Sequence, residues 1–346
     1  MRSKTIRILL EEISEDLNLV ALILSVVSFL ALSYFSLPLW ITYLPYVLVI
    51  VYYLYRLYRR IQIITLDKHL PAIFVAGEQE INREQLLNQA EDAIKRNTHF
   101  SKFNILEKYF LVSLWGAVYW RKTPSNENEW MDYMEDGIER IKWLYDKVKG
   151  RKIYHLFFGR PAVMALGLGA ILGRWDKPPV IVYQWMGNEY KPVLDLSKEP
   201  RKVKVKIDLN KEKFRYIKVE FPEKLGEKVA LVLEMASHPI REDVIRYVST
   251  WSEKIEIIVV ENTYGGDLRD EDWTRPVQEL YNLIAELKNR RVEEFHLFIS
   301  MPEAMAFGLG YALGPYWNVK VYNLMREKKT YKLAFSLNKL PESSIE

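Results

Sequence analysis

The 346-residue chain contains no cysteine. Disulfides and thiolate metal sites are therefore excluded, and a reducing compartment is compatible with the sequence. Histidine is scarce, five in all, and no His-Glu-x-x-His run occurs among them. The Gly-x4-Gly-Lys-Ser/Thr phosphate loop and the Gly-x-Ser-x-Gly nucleophile elbow are absent too. No pair of carboxylates stands at a catalytic spacing, so no catalytic constellation is visible. Nothing in the pattern asks for a metal or a cofactor, and the expectation is a protein that is not an enzyme. A net charge of +4 is too small to argue for duplex nucleic acid as a partner.

Charge is also missing locally. From Leu17 to Tyr55 there is no charged residue. That run is too long for one membrane span and suits two of roughly 20 residues. Pro38 and Pro45 mark the break, giving predicted transmembrane helices over about 17–35 and 40–58 within an N-terminal segment 1–62. Aromatics such as Trp40, Tyr43, Tyr46, Tyr52 and Tyr58 crowd the second span as an interfacial belt would. A soluble helical hairpin would carry a polar stripe, which this stretch lacks. Arg56, Arg59 and Arg60 follow the second span and the intervening turn is uncharged, so both termini are expected to face the cytoplasm, with the chain multi-pass in the inner membrane. The spans hold no ionisable acid or base that would mark an ion relay.

What the chain does have is a duplication. His155-Leu-Phe-Phe-Gly-Arg-Pro161-Ala-Val-Met-Ala-Leu-Gly-Leu-Gly-Ala-Ile-Leu-Gly173 recurs, without a gap, as His296-Leu-Phe-Ile-Ser-Met-Pro302-Glu-Ala-Met-Ala-Phe-Gly-Leu-Gly-Tyr-Ala-Leu-Gly314. Eleven of the nineteen positions are identical, too many to arise from composition. Each copy reads as strand, turn and helix: Ile153–Phe158 and Phe295–Ile299 have strand length, Pro161 and Pro302 suit the first helical turn, and Gly173 and Gly314 suit its end. Gly167/Gly169 and Gly308/Gly310 lie inside the helices, away from the strand–helix turn, so they predict close packing of helix on sheet in place of a dinucleotide fingerprint.

The repeat extends outwards. Trp130 and Trp273 follow similar acidic runs, Val180–Tyr183 matches Val319–Tyr322, and Tyr190-Lys191 matches Tyr331-Lys332. Two Rossmann-like α/β halves result, 63–198 and 199–346. The first holds a strand at Ala72–Ala76, a helix over Asn82–Lys95, a strand within Tyr109–Trp120 and an amphipathic helix over Glu129–Lys149. The second opens with a predicted hairpin, Lys202–Ile207 and Tyr216–Phe221. It continues with strand Val229–Leu233, helix Arg241–Trp251, strand Ile255–Val260 and helix Thr274–Lys288.

In such folds ligands bind beyond the carboxyl ends of the strands, where the free N–H groups of helix starts attract anions. Four strand-to-helix turns are candidates: Gly159-Arg160-Pro161, Ser300-Met301-Pro302, Ala236-Ser237-His238-Pro239 and Asn262-Thr263-Tyr264-Gly265-Gly266. Arg160 suits a phosphate, Ser237 and Ser300 can donate hydroxyls, and Tyr264 or Trp185, next to Gln184, can stack on a base. Each is also an ordinary turn or capping residue. His155 and His296 occupy matching strand positions and read as satisfied sheet histidines before they read as ligands.

Val229-Ala-Leu-Val-Leu-Glu-Met-Ala-Ser-His-Pro-Ile240, followed by Phe298–Gly310 with Pro302 and Ala306, resembles the SAVED domain, a fusion of two CARF-like units found in CBASS antiphage and some type III CRISPR systems. The resemblance is best over 150–346. It implies that a cyclic oligonucleotide made by a partner synthase binds across the two halves, and the turns offer it Gly159, Arg160, Pro161, Gln184, Trp185, Ser237, His238, Asn262, Thr263, Tyr264, Ser300, Met301 and Pro302 as candidate contacts. It further implies ligand-induced homo-oligomers whose transmembrane hairpins disrupt the lipid bilayer, ending in cell death or dormancy. The first half departs from the family, with Ala76-Gly77-Glu78 where the second has Ser-His-Pro. Two rival readings remain: a membrane-tethered enzyme such as a ring nuclease, and a passive adaptor that the hairpin only anchors.

Overall fold

The computed structural model describes residues 50–52, 54–55, 58, 68–78, 81–97, 118–147, 152–174, 179–207, 213–222, 224–265, 268, 272–325 and 330–341. The chain divides into two compact units, 1–66 and 67–346. In the first, the described residues Ile50, Val51, Tyr52, Leu54, Tyr55 and Tyr58 are helical and exposed. The predicted span 17–35 and most of 40–58 lie outside the described residues. Among the described residues no helix is long and apolar enough to cross a membrane.

The second unit contains two sheets. In the first, β1 (Lys68–Ala76), β2 (Val118–Arg121), β3 (Lys152–Gly159), β4 (Val180–Trp185) and β5 (Tyr190–Asp195) run in the order β2-β1-β3-β4-β5. Only the β4–β5 pairing is antiparallel. In the second, β6 (Ile217–Glu220), β7 (Lys228–Glu234), β8 (Glu256–Asn262), β9 (Glu294–Ser300), β10 (Val319–Met325) and β11 (Thr330–Ser336) run in the order β11-β10-β9-β7-β8-β6. Taking out β6, the two orders are the same, as a duplication requires. Buried runs such as Val229–Leu233, apolar at every position, are the signature of parallel strands covered on both faces.

Among the described residues the helices are α1 (Arg83–Asn97), α2 (Glu127–Lys147) and α3 (Ala162–Leu172) in the first half, and α4 (Arg241–Val248), α5 (Thr274–Asn289) and α6 (Glu303–Leu313) in the second. One large apolar core joins the halves, gathering Tyr133, Leu166, Leu231, Phe307 and Phe335 among others. A smaller core sits under α1 and another under α4, on the far faces of the sheets. Of the helices that reach this core, α3 and α6 are almost wholly apolar and buried, whereas α2 and α5 are amphipathic and turn one face to it. In α3 every residue from Val163 to Leu172 is buried.

The glycines explain how this central layer closes. A Cβ on Gly169 would overlap the carbonyl oxygen of Phe307, and one on Gly310 would overlap the carbonyl oxygen of Leu166. These are equivalent contacts, exchanged by the internal symmetry of the repeat. The expectation of helix packed on sheet is therefore corrected: Gly169 and Gly310 bring helix α3 against helix α6. Gly167 and Gly308 face side chains of the opposite half as well as their own, Phe335 with Met134 and Leu194 with Val277.

Three further expectations change. Pro161 and Pro302 take the extended cap position before each helix instead of its first turn. Lys202–Ile207 forms no hairpin strand: Lys202–Lys204 is a 3-10 turn, and β6 pairs with β8. The reason lies in α5. Gln278 donates to the Lys202 carbonyl, and Asn282 both donates to the Val205 carbonyl and accepts from the Ile207 N–H. Those backbone groups are satisfied by a helix, so they need no ladder. Within Tyr109–Trp120, the described residues are strand from Val118, and 109–117 lie outside the description.

Candidate functional site

The strand ends open into one cleft of about 1060 Å³. Its walls are the turn after β3 (Arg160, Pro161), the β4–β5 hairpin from Gln184 to Val193, the turn after β7 (Ala236–His238) and the turn after β9 (Ile299–Glu303). Both copies of the repeated strand–turn–helix therefore deliver their turns to one concavity, as parallel α/β topology directs.

The turns are built from backbone hydrogen bonds. Ala76 N–H donates to the Arg160 carbonyl, and the Met235 and Ala236 N–H groups donate to the Ser300 carbonyl. Arg160 has φ of 43°, in the left-handed region that non-glycine residues seldom occupy. Its side chain is exposed in the cleft wall. Beside it, α3 begins with neither a side-chain cap nor an acid in its first turn. The Ser300 hydroxyl donates to the His238 carbonyl at 2.6 Å, which ties the β9 turn to the β7 turn. Ser237 and His238 are exposed at the rim.

The opposite helix start differs. Glu303 opens α6 and accepts a hydrogen bond from Gln184 Nε2 at 3.0 Å, while Gln184 Oε1 accepts from the Ala304 N–H at 3.1 Å. Trp185 stands 38% exposed, its ring edge-on to Tyr190 at 5.0 Å. Burial, with the Glu303 charge nearby, pushes the Tyr190 phenol up to about 12, so it stays a neutral donor. At the outer wall Arg96 pairs with Glu189 at 2.9 Å, and Lys191 reaches the same carboxylate at 3.6 Å.

Of the sequence-predicted site residues, Arg160, Pro161, Gln184, Trp185, Ser237, His238, Ser300, Met301 and Pro302 line this cleft. Gly159, at the end of β3, does not; it packs against Val75. Asn262, Thr263 and Tyr264 do not line it either. Asn262 Oδ1 accepts the N–H groups of Tyr264 and Gly265, Thr263 donates to the Arg215 carbonyl, and Tyr264 leans on Tyr216. These are turn-forming roles. Arg96, Asn97, Glu189, Lys191, Trp273 and Glu303 line the cleft without having been named as site residues, Lys191 and Trp273 having been read only as marks of the repeat. Glu303 carried a different signal, since it breaks the repeat where the first copy has Ala162.

The two sheet histidines are satisfied. His155 is wholly buried and shares hydrogen bonds with Tyr183 (2.9 Å) and His69 (2.7 Å). Burial, then the neighbouring His69, lowers its pKa to about 3. His296 bonds Tyr322 and Glu294, and burial lowers its pKa as well. Among the described residues no cluster of acids and histidines could hold a metal ion.

No curated protein matches the chain. Solved structures to which the chain shows some similarity include an Acinetobacter baumannii Cap4 SAVED/CARF-domain containing receptor with the cyclic trinucleotide 3'3'3'-cAAA, at 11% identity and TM-score 0.48, covering 78% of this chain and 52% of that one. A Moraxella osloensis Cap4 SAVED/CARF-domain containing receptor aligns at 14% identity and TM-score 0.40, covering 62% and 43%. The chain thus spans about half the length of the structures it matches. By sequence, residues 198–337 match the family model SAVED, the SMODS-associated and fused to various effectors sensor domain.

Proposed function

We propose that this chain is a membrane-anchored receptor for a cyclic oligonucleotide second messenger. The observation that carries the reading is the shared cleft: the turns of both repeats, with Arg160, Lys191 and Trp185, face one concavity. Its volume, about 1060 Å³, sits at the top of the ~300–1,000 Å³ range of small-molecule pockets, so it suits a ligand larger than one nucleotide. A phosphate of the ring sits at Arg160 and the uncapped start of α3, where charge-assisted hydrogen bonds and the helix dipole act together. A base stacks on the exposed face of Trp185. The SAVED match over 198–337 supports a sensor role.

In this reading a partner synthase makes the messenger, and binding favours an assembled state by its differential affinity for it. The hairpin over 17–35 and 40–58 is the output, crossing the inner membrane with both termini cytoplasmic. Two short spans make no pore alone, so the lesion belongs to the oligomer. The test is calorimetry on the full chain in detergent against cyclic di-, tri- and tetranucleotides, with light scattering in parallel. Micromolar or tighter binding of one ring with a rise in particle size is expected. No binding would overturn the receptor. A ring consumed over the titration would put a ring nuclease in its place.

A further inference from the structure

The two helix starts that face the cleft are equivalent in sequence position and opposite in chemistry. At α3 the first residue is Ala162, with no acid in the first turn. At α6 it is Glu303. The Glu303 carboxylate is partly buried and is not neutralised by a cation among the ion pairs of the described residues; its partner is the Gln184 amide at 3.0 Å. That amide is itself fixed, because Gln184 Oε1 accepts the Ala304 N–H at 3.1 Å. Trp185 and Tyr190 stand alongside, the former with an exposed ring.

A carboxylate at this place repels a phosphate from α6, although a helix start is otherwise attractive to one. A carboxylate accepts hydrogen bonds and donates none. A group recognised here must therefore present N–H donors, and the aromatic ring beside it favours a flat one. Nucleobases with an exocyclic amino group meet both conditions: adenine, cytosine and guanine do, whereas uracil flanks its single N–H with two carbonyl oxygens that a carboxylate repels.

We propose that Glu303, held in place by Gln184, is the base-reading residue of the cleft, accepting the exocyclic amino group of a base stacked on Trp185. The inference rests on the receptor reading and adds to it the class of base. The duplicated turns have divided the work: Arg160 and the α3 start take phosphate, Glu303 and the α6 start take a base edge.

The experiment uses the full chain in detergent, titrated with cyclic rings of adenylate, cytidylate, guanylate and uridylate of matched size. The tightest amino-bearing ring is expected to bind at least about tenfold more tightly than the uridylate ring, in line with the discrimination of a good base contact. Glu303→Gln, which keeps the shape and can donate as well as accept, is expected to reduce that gap to within about threefold, while its unfolding temperature stays at the wild-type value. Gln184→Ala is expected to narrow the gap in the same direction by unfixing the carboxylate. If no ring binds, the receptor reading falls and this inference with it. If rings bind but the uridylate ring binds equally well, or Glu303→Gln keeps the tenfold gap, the receptor stands and the base-reading role is overturned.

Discussion

Arg160 combines a left-handed backbone, φ of 43°, with an exposed guanidinium in the cleft wall. Nothing in the core needs that side chain, so its removal separates binding from folding. Arg160→Ala is expected to weaken ring binding by about tenfold or more, the size of a charged hydrogen bond, with the unfolding temperature unchanged; paired calorimetry and thermal melts check both halves of the statement. His155 gives a second prediction at this scale. Its folded pKa is lowered to about 3, below the ordinary value near 6.5, because it is buried. The unfolded chain therefore binds a proton that the folded chain refuses across that window. Stability contributed by neutral His155 is full above about pH 6.5 and declines as the pH falls towards 3. Denaturant midpoints measured through this range should drop with acid, and His155→Gln should flatten the slope. The histidine pattern was legible in the sequence as a sheet pair, because both copies stand mid-strand. Its partner His69 was not, since the register that sets Pro71 beside His155 comes from β1 pairing with β3.

Among the elements, α3 and α6 decide the architecture. A Cβ on Gly310 meets the Leu166 backbone carbonyl, which cannot turn aside as a side chain would. Alanine favours a helix over glycine by about 1 kcal/mol, yet overpacking two backbones costs about 1–3 kcal/mol or more, so the clash wins. Gly310→Ala is expected to lower stability by that order in urea unfolding, and Gly169→Ala likewise. Helix α5 makes a different contribution. Its wholly buried Glu279 accepts the N–H groups of Arg215 and Tyr216 at 2.7–3.0 Å, with Arg275 at 3.3 Å. Glu279→Ala strands those donors and is expected to cost about 3–5 kcal/mol, read by the same denaturant series. Both features are long-range. Local pattern identified α3, α5 and α6 as helices, α3 and α6 by the prolines and glycines at their ends, and strand length identified β3 and β9. It could not say that the glycines face a helix instead of a sheet. Nor could it say that α5 side chains would hold 202–207 out of a ladder.

For the whole molecule, the duplication makes two sheets share one core, and the cleft depends on both of them. A ligand that binds only this arrangement stabilises it by mass action, about 2.7 kcal/mol at a hundredfold excess over Kd. Adding the best-binding ring to the full chain is expected to raise the unfolding temperature of the α/β unit by a few degrees, and a tenfold weaker Arg160→Ala should lose about half of that shift at the same concentration. An unchanged melt in the presence of saturating ring would count against the cleft as the binding place.

The sequence alone determined the repeat, the α/β alternation, the uncharged run from Leu17 to Tyr55, the resemblance to SAVED and most of the turn residues that reach the cleft. Each of these is written in near-neighbour spacing, identity between copies or composition, which survive in one dimension. The tertiary structure decided the rest: that α3 and α6 meet through glycine, that Asn262–Tyr264 do not line the cleft while Arg96 and Lys191 do, and that Glu303 faces Gln184. Those facts depend on how two halves, 141 positions apart, are packed against each other. Such packing is set by shape and buried contact, which no local spacing records.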